Sequence, residues 1–291
     1  MPASLTASTR VVGVIGDPVR HSLSPLLHNA AFAAMRLDWA SVAFPVPAGE
    51  VGPALAGMRA LGVEGLSVTM PHKQAALAGV DHTSETATRL GAINTIVRRN
   101  GQLVGENTDG AGFLDAVHTA GCDPVGWRCL ILGAGGAARA IVVALAGAGA
   151  AEVVVVNRTP TRAEQAAALA GAVGRVGSAD EVDRADLVVH ATPLGMLGVS
   201  PASRAGEQGP TSDQLPLDPA RLGPGQLVVD LVYHPRDTPL LKAARDRGAM
   251  VQDGVGMLVH QAAHALAFWT GEKPPVAAMM AAVDSAPRLR A

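Results

Sequence analysis

Residues 128–140 read RCLILGAGGAARA, an apolar run that passes through a glycine-rich turn into an alanine-rich segment. The apolar run, 128–132, has the length and composition of a short buried strand. The residues after the turn predict a helix that continues to about Gly147. A strand, a turn and a helix in this order are typical of the units from which parallel sheets are built. The segment therefore indicates an α/β fold.

The same alternation continues downstream of this unit. Further strands are predicted at 152–157, 187–190 and 227–231. Regular alternation of this kind predicts a doubly wound parallel sheet of the Rossmann type over residues 116–255. Within it, residues 197–213 are rich in glycine, serine and proline and are interpreted as a mobile loop.

Residues 1–115 also mix strands and helices, and we interpret them as a separate N-terminal α/β domain. The dipeptide Asn100-Gly101 is a hairpin turn signal between two of its strands. The chain is helical again after Gly256, and we expect residues 256–291 to complete this first domain. Its strands are predicted at 10–16, 41–45, 65–69, 92–98 and 102–105, and its helices at 25–35 and 51–61, with another starting near Pro71.

Composition and charge exclude several classes of protein. Hydrophobic residues make up 48% of the chain and charged residues 16%, which supports a large core rather than disorder. A net charge of -2 argues against a nucleic-acid partner. No segment has the unbroken apolar length of a membrane span, and residues 1–10 lack the apolar core of a signal peptide. Two cysteines provide no disulfide framework. We expect a cytoplasmic protein with no membrane partner, and the sequence allows a homodimer.

The glycine-rich turn after the first predicted strand of the Rossmann-type domain matches the pattern G-x-G-x-x-G/A over residues 133–138. Glycines at these positions permit a tight turn and a close approach of the backbone to a pyrophosphate. The helix start adds free N–H groups and the positive end of the helix dipole. We therefore predict a dinucleotide site formed by Gly133, Ala134, Gly135, Gly136 and Ala137.

The end of the next strand indicates which dinucleotide is bound. Sites for NAD usually have an acidic residue there, which holds the ribose 2′-hydroxyl. This chain has Asn157, Arg158 and Thr159, with Arg162 just beyond, and arginine can pair with a 2′-phosphate. The pattern predicts NADP, and solvated arginines at a helix start are the alternative interpretation.

Lysine is rare in this sequence, which has 20 arginines and 3 lysines. Coding bias explains the rarity, so the inference depends on where Lys73 lies, at the end of the run GLSVTMPHK. A lysine ammonium can release a proton, whereas an arginine guanidinium stays protonated. Lys73 is therefore a candidate catalyst, with an ordinary surface lysine as the alternative.

Other polar residues of the N-terminal domain suit a ligand with a carboxylate and hydroxyl groups. Ser22 and Ser24 precede a helix start, where hydroxyls and free backbone N–H groups can hold a carboxylate, although either serine could simply cap the helix. Asn94 and Asp109 lie at predicted strand ends and suit ligand hydroxyls, although both residue types are common in turns.

Ten short motifs occur in a fixed order and span nearly the whole chain. They are HSLSP at 21–25, GLSVTMPHK at 65–73, AINT at 92–95, ENTDG at 106–110, GAGGAARA at 133–140, NRTPTR at 157–162, ATPLGM at 191–196, DLVYHP at 230–235, TPLL at 238–241 and GVGMLVHQA at 254–262. Taken together they resemble the shikimate dehydrogenase family. Several motifs in order are far more specific than any one of them.

This resemblance implies reversible reduction of 3-dehydroshikimate to shikimate with NADPH, a step of chorismate and aromatic amino-acid biosynthesis. Lys73 and Asp109 would be the catalytic pair, and Ser22 and Ser24 would hold the substrate carboxylate. Thr69, Asn94, Asp109, Tyr233 and Gln261 would surround the ring hydroxyls. The cofactor would be lined by Glu85, Gly133, Ala134, Gly135, Gly136, Ala137, Asn157, Arg158, Thr159, Arg162, Thr192, Leu231, Gly254 and Met257.

The implied catalytic pair suits the implied chemistry. Oxidising an alcohol by hydride loss also requires loss of the hydroxyl proton, and a lysine in hydrogen-bond reach can accept it. A neighbouring carboxylate favours the charged ammonium, so we assign the proton transfer to Lys73 and Asp109 as a pair.

Two features depart from the family pattern or invite another interpretation. His190 stands where the family commonly has asparagine before Ala-Thr-Pro, and we assign it no function. His260 and His264 are spaced by four residues on a predicted helix, but two ligands without a third are insufficient for zinc. No metal site is predicted.

Three rival functions remain open from the residues. A quinate or quinate/shikimate dehydrogenase typically uses NAD and has an acid where this chain has Asn157. A dehydrogenase like glutamyl-tRNA reductase needs a nucleophilic cysteine, whereas Cys122 and Cys129 suit packing better. A non-catalytic ligand-sensing paralogue would not need Lys73 and Asp109.

Overall fold

A computed structural model describes residues 5–195 and 217–286 of the chain. Its internal contacts divide the described chain into two units. The first unit comprises residues 5–112 and 259–286, and the second comprises residues 113–195 and 217–258. The loop predicted at 197–213 lies outside the described residues. No helix of the described segments has the length and apolar character needed to cross a membrane.

The two units share a mixture of strands and helices. In chain order the elements are β1 (Arg10–Gly16), α1 (Ser24–Met35), β2 (Trp39–Pro45), α2 (Val51–Leu61), β3 (Gly65–Val68), β4 (His82–Thr83), α3 (Glu85–Leu90), β5 (Thr95–Arg99), β6 (Gln102–Glu106), α4 (Asp109–Thr119), β7 (Arg128–Leu132), α5 (Gly136–Gly147), β8 (Glu152–Val156), α6 (Pro160–Ala168), β9 (Gly174–Val176), β10 (Leu187–His190), β11 (Leu227–Asp230), α7 (Pro239–Asp246), β12 (Met250–Gln252), α8 (Val255–Thr270) and α9 (Val276–Asp284).

The first unit contains a mixed six-stranded sheet in the order β2-β1-β3-β5-β6-β4. Strands β1, β2 and β3 are parallel, β5 is antiparallel to both β3 and β6, and β4 is parallel to β6. The hairpin between β5 and β6 turns at Asn100 and Gly101, which both have positive φ angles, 50° and 81°. Such a turn matches the twist of the two strands.

Helices cover the first sheet, and one glycine shows how closely they approach it. Residues of α2, β1 and β3 form a core cluster, and α1 packs on α9 and β2. Trp269 of α8 lies against Gly65 of β3, where any Cβ would overlap its indole ring. The Trp269 indole N–H donates to the Ile96 carbonyl at 3.0 Å. Gly65 is therefore required for the close packing of α8 on this sheet.

The second unit contains a six-stranded, fully parallel sheet in the order β12-β11-β10-β7-β8-β9. Successive residues of the central strand β7 point to opposite faces. Cys129 and Ile131 join the core with α5 and α6, while Leu130 and Leu132 join the core with α7. Both faces are thus buried, which is why these strands are continuously apolar. The predicted doubly wound Rossmann-type fold is confirmed.

Two segments of the first unit differ from their predicted structure. The predicted strand at 92–98 begins only at Thr95, because the Ala92 and Ile93 N–H groups donate to Ala87 and Lys73 carbonyls. The chain after Pro71 forms turns and a short 3₁₀ helix, Ala75–Gly79, instead of an α-helix. The Lys73 carbonyl that an α-helix would use for its next turn is taken by Ile93.

A buried histidine makes the stability of the first unit depend on pH. His28 of α1 is fully buried, its Nδ1 lies 2.8 Å from Ser41 Oγ, and its ring meets Trp269 edge-on at 4.9 Å. Its Nε2 has no hydrogen-bond partner. Burial lowers the pKa of His28 from 6.5 to about 3, because the charged imidazolium cannot be solvated there.

This burial predicts a loss of stability in mild acid. The unfolded chain binds a proton at His28 below pH 6.5 whereas the folded chain does not, so the free energy of unfolding falls as pH drops towards 3. Between pH 7 and pH 5, we expect the free energy of unfolding of the wild type to fall by about 2 kcal/mol more than that of His28→Gln, as measured by urea unfolding. The exposed-site control His82→Gln leaves the buried imidazole in place and retains the wild-type slope. Equal slopes for wild type and His28→Gln would contradict the prediction.

Candidate active site

The strand directions of the first sheet bring its predicted functional residues to one edge. The carboxyl ends of β1, β3 and β6 meet there, together with the start of β5, because β5 runs antiparallel to its neighbours. The predicted residues that follow or precede these strand ends are Ser22, Ser24, Thr69, Lys73, Asn94 and Asp109.

At this edge Lys73 and Asp109 form an ion pair. Lys73 Nζ lies 2.5 Å from Asp109 Oδ2, and the side chains are 21% and 6% exposed. The carboxylate is thus largely shielded from water, while part of the lysine side chain remains accessible. The two residues predicted to be the catalytic pair are therefore in direct contact.

A buried amide holds the other oxygen of the carboxylate. Asn94 Nδ2 donates to Asp109 Oδ1 at 2.7 Å and to Thr108 Oγ1 at 2.9 Å. Asn94 Oδ1 accepts the Thr108 backbone N–H at 2.8 Å. Both amide hydrogens are used within the protein, so a direct bond from Asn94 to a ligand hydroxyl requires one of these two bonds to be exchanged.

The backbone around Lys73 is fixed by neighbouring segments. The Ile93 N–H donates to the Lys73 carbonyl at 2.9 Å. The adjacent His72 is 2% exposed, and its Nε2 lies 2.7 Å from the Val46 carbonyl. His72 therefore anchors the turn inside the fold.

The two serines near the end of β1 lie at the start of α1. The helix N-cap is Leu23, and no side chain caps it. Ser22 Oγ instead accepts the Ser24 backbone N–H at 3.2 Å. Ser22 therefore bonds the first N–H of α1 from one position before the N-cap, which is close to the capping alternative. The positive end of the helix dipole remains favourable for an anion.

Thr69 and Gln261 lie in the first unit with the ion pair. Thr69 directly follows β3, and a Cβ added to Gly16 at the end of β1 would overlap the Thr69 methyl group. The Gln261 carbonyl accepts the Thr108 hydroxyl at 3.0 Å, so α8 contacts the start of α4. Both residues are therefore placed near the same segments as Lys73 and Asp109.

The glycine-rich turn of the second unit lies between β7 and α5. Gly133 has a φ of 121°, which favours glycine, and its N–H donates to the Val156 carbonyl at 2.8 Å. A Cβ at Gly133 would lie 2.8 Å from the Ala191 carbonyl oxygen, whereas a Cβ at Gly135 would meet nothing within 4 Å. The open space beside Gly135, at the N-terminus of α5, fits the approach of a pyrophosphate.

The residues after β8 present positive charge. Arg158 and Arg162 are exposed, and Asn157 is half-buried with its Nδ2 donating to the Thr159 carbonyl at 3.0 Å. The bond shapes the turn that carries Arg158. The residues present thus fit an anionic 2′-phosphate better than a free ribose hydroxyl.

The remaining predicted residues are placed as follows. Gly254 approaches β11 so closely that any Cβ would overlap the Leu231 carbonyl, and Met257 belongs to the core of the second unit. Tyr233 also lies in the second unit, and burial raises the pKa of its phenol. Glu85 differs from the other predicted cofactor residues because it lies in the first unit, exposed at the start of α3.

The structure also contains polar residues to which the sequence assigned no function. Thr108 bridges Asn94 and α8, as described above. In the second unit His190 is 2% exposed and contacts Asp230 and Thr192 through its two ring nitrogens. The sequence signal for this contact was that His190 ends the predicted strand 187–190 and that Asp230 lies next to the end of the predicted strand 227–231.

Three family models match successive segments of the chain. The shikimate dehydrogenase substrate binding domain matches residues 14–96. The shikimate / quinate 5-dehydrogenase model matches residues 122–195, and the shikimate 5′-dehydrogenase C-terminal domain matches residues 254–283. The order of the matches is the order of the motifs in the sequence.

Similar proteins cover nearly the full length. The NADP-dependent shikimate dehydrogenase of Moorella thermoacetica is 48% identical, over 94% of this chain and 92% of its own. The crystal structure of a Thermus thermophilus shikimate dehydrogenase with NADP(H) and shikimate is similar with a TM-score of 0.85, 37% identity and coverage of 94% and 98%. The structure of a quinate dehydrogenase of Corynebacterium glutamicum with NAD is similar with a TM-score of 0.86 and 31% identity. The match covers 96% of this chain and 99% of that chain. The chain belongs to the shikimate dehydrogenase family.

Proposed function

We infer that the chain is an NADP-dependent shikimate dehydrogenase, which reversibly reduces 3-dehydroshikimate to shikimate. The ketone takes up a hydride from NADPH and one proton, and NADPH is oxidised to NADP⁺. The observation that carries this inference is the shielded Lys73–Asp109 ion pair within a chain that belongs to this family. The reaction serves the route to chorismate and aromatic amino acids.

In our proposal the Lys73–Asp109 pair supplies the proton, and the Lys73 amine is the member of the pair that meets the substrate oxygen. Reduction of the ketone places negative charge on its oxygen, and an ammonium in hydrogen-bond reach can neutralise that charge by donating a proton. In the oxidation direction the same amine accepts the hydroxyl proton. The partial exposure of Lys73 allows the lost proton to be replaced from solvent.

Asp109 orients the amine and binds a substrate hydroxyl. Its Oδ2 holds Lys73 and its Oδ1 is held by Asn94, so the carboxylate plane is fixed from both sides. Fixed donors and acceptors need little reorganisation during the reaction, which is the main source of electrostatic catalysis. We propose that Asn94 serves the substrate mainly by holding Asp109 in this orientation.

The remaining substrate contacts follow from charge and donor type. Ser22 and Ser24 offer hydroxyls at the start of α1, which suits the substrate carboxylate. The ring hydroxyls are assigned to Thr69, Asn94, Asp109, Tyr233 and Gln261. We propose that residues 1–115 with 256–291 bind the substrate and that residues 116–255 bind the cofactor.

The cofactor, when bound, supplies or receives the hydride. The turn from Gly133 to Ala137 would hold its pyrophosphate, because the turn offers backbone N–H groups with open space beside Gly135. Arg158 and Arg162 would pair with its 2′-phosphate. Glu85, Thr192, Leu231, Gly254 and Met257 are assigned to the rest of the molecule.

Two rivals are weakened by particular residues. A similar quinate dehydrogenase was solved with NAD, but this chain has Asn157 where an acid would select NAD, and Arg158 follows it. A mechanism with a nucleophilic cysteine is opposed by Cys129, which is buried and whose pKa is raised to about 12 by desolvation.

Purified protein assayed with shikimate or quinate and with NADP⁺ or NAD⁺ tests the function. The appearance of reduced cofactor is followed by absorbance. We expect shikimate with NADP⁺ to give the highest kcat/KM. Equal values with quinate and NAD⁺ would favour the quinate enzyme, and no turnover with any pair would favour a ligand sensor.

Removal of the catalytic amine should affect turnover more than binding. We expect Lys73→Ala to lower kcat by about 10²–10⁴-fold while the KM for shikimate changes little. Lys73→Arg should also lower kcat strongly, because a guanidinium does not release its proton. Lys242→Ala removes an exposed lysine of α7 and serves as the control. Near-normal turnover of Lys73→Ala would refute the assignment.

Neutralising the two arginines should change cofactor preference. Loss of charge-assisted bonds to the 2′-phosphate should raise the KM for NADP⁺ at least about 10-fold in Arg158→Gln/Arg162→Gln. The KM for NAD⁺ should stay within about twofold because that cofactor lacks the phosphate. Arg247→Gln removes a positive charge at the end of α7 as a control. An equal rise in KM for NADP⁺ and NAD⁺ would show that the arginines do not bind the 2′-phosphate.

A further inference from the structure

A chain of four buried or half-buried polar residues ends beside the glycine-rich turn. His190 Nδ1 lies 3.0 Å from Asp230 Oδ1, and His190 Nε2 lies 2.5 Å from Thr192 Oγ1. Asp230 Oδ2 accepts the Thr238 hydroxyl at 2.7 Å. The parallel register of β10 and β11 places His190 directly opposite Asp230.

The Asp230 carboxylate fixes the direction of the hydrogen bonds that it receives. Its Oδ1 also accepts the Val232 backbone N–H at 3.0 Å. The Thr238 hydroxyl accepts the Leu241 N–H, so its own hydrogen goes to Asp230. Since the carboxylate only accepts, His190 Nδ1 is the donor. In the tautomer that carries its hydrogen on Nδ1 and none on Nε2, Nε2 accepts the Thr192 hydroxyl hydrogen, and the inference is built on this tautomer.

In this tautomer the Thr192 hydroxyl has a defined hydrogen-bond direction. Its hydroxyl hydrogen is directed to His190, so the oxygen offers only lone pairs to other groups. One of these receives the Leu194 N–H at a long 3.4 Å. Thr192 is therefore suited to accept a hydrogen bond from a ligand N–H or O–H group, and unsuited to donate one to a phosphate oxygen.

Thr192 is in contact with the turn that would hold the pyrophosphate. A Cβ on Gly133 would lie 3.1 Å from Thr192 Cγ2 and 2.8 Å from the Ala191 carbonyl oxygen. The residue thus lies at the carboxyl edge of the parallel sheet, where ligands of such folds bind.

Strand order decides which half of the dinucleotide lies near Thr192. Strand β7 carries the glycine-rich turn, β8 with Arg158 lies on one side of it, and β10 lies on the other. If Arg158 pairs with the 2′-phosphate, the adenosine half extends over β8. The nicotinamide half must then extend over β10, towards Thr192.

We propose that His190 and Asp230 are positioning residues that hold Thr192 as a hydrogen-bond acceptor for the nicotinamide half of NADP. The donor is a hydroxyl of the nicotinamide ribose or the carboxamide NH₂. The inference rests on the proposed function, because it assumes that the second unit binds NADP. It assigns a role to the histidine that departs from the family's usual asparagine.

Binding measurements on three variants test the proposal. Thr192→Val removes the acceptor, and His190→Asn keeps a donor for Asp230 but cannot reach Thr192. The third variant combines both changes. We expect each single variant to weaken NADPH binding about 10-fold, as measured by fluorescence titration, because one hydrogen bond is lost. The affinity for 2′,5′-ADP, which lacks the nicotinamide half, and the KM for shikimate should stay within about twofold.

The double variant separates positioning from a merely structural role. If His190 acts through Thr192, the combined change is no worse than Thr192→Val alone. The proposal would be overturned if the losses of NADPH affinity in the two single variants multiplied in the double variant. An equal loss of affinity for 2′,5′-ADP, or unchanged NADPH binding in Thr192→Val, would also overturn it. Thr192→Ser, which keeps the hydroxyl, should recover most of the affinity, and Thr119→Val on α4 is the surface control.

Two further measurements complete the test. An NADP analogue with an acetyl group in place of the carboxamide identifies the donor: a loss in Thr192→Val that disappears with this analogue points to the carboxamide, and a loss that persists points to the ribose. Wild-type turnover with shikimate and NADP⁺ is measured first. Its absence would refute the proposed function, whereas an active wild type with unaffected variants would refute only the role of His190.

Discussion

The arrangement of the polar residues at the edge of the first sheet depends on the buried side chain of Asn94. Its amide donates to Asp109 and Thr108 and accepts the Thr108 N–H, so it ties the start of β5 to the segment between β6 and α4. Without it, a carboxylate that is 6% exposed would lose one of its two fixed partners. An unpaired buried polar group costs more than a hydrogen bond yields, so this network has one satisfied arrangement.

In the second unit, close packing of the backbone brings the strand ends to one edge of the sheet. Gly133 and Gly254 lie where a Cβ would meet the carbonyl oxygens of Ala191 and Leu231. Close approach brings the ends of β7, β10 and β11 together at one edge of the sheet. The polar chain from Asp230 through His190 to Thr192 then gives that edge a defined hydrogen-bond direction. In our proposal, backbone N–H groups, exposed arginines and an oriented hydroxyl make three kinds of contact with the dinucleotide.

Much of the fold could be predicted from local sequence pattern. The strand, turn and helix at 128–147 and the Asn100-Gly101 hairpin depend on neighbouring residues, and both are present. The helix expected near Pro71 is absent because Ile93, distant in sequence, takes the Lys73 carbonyl. Motif order identified Lys73 and Asp109 as a pair. It could not show that Asn94 orients Asp109, or that His190 contacts Thr192, because neither contact follows from spacing.

The sequence by itself determined the α/β class, the glycine-rich turn and the arginines that favour NADP, because these depend on residue type and on neighbours within one or two turns of chain. Only the tertiary structure decided which polar atoms meet. Lys73 and Asp109 are 36 residues apart, and His190 and Asp230 are 40 apart. Such pairs form because the strands of a sheet end at a common edge, in a register set by the whole ladder of backbone hydrogen bonds.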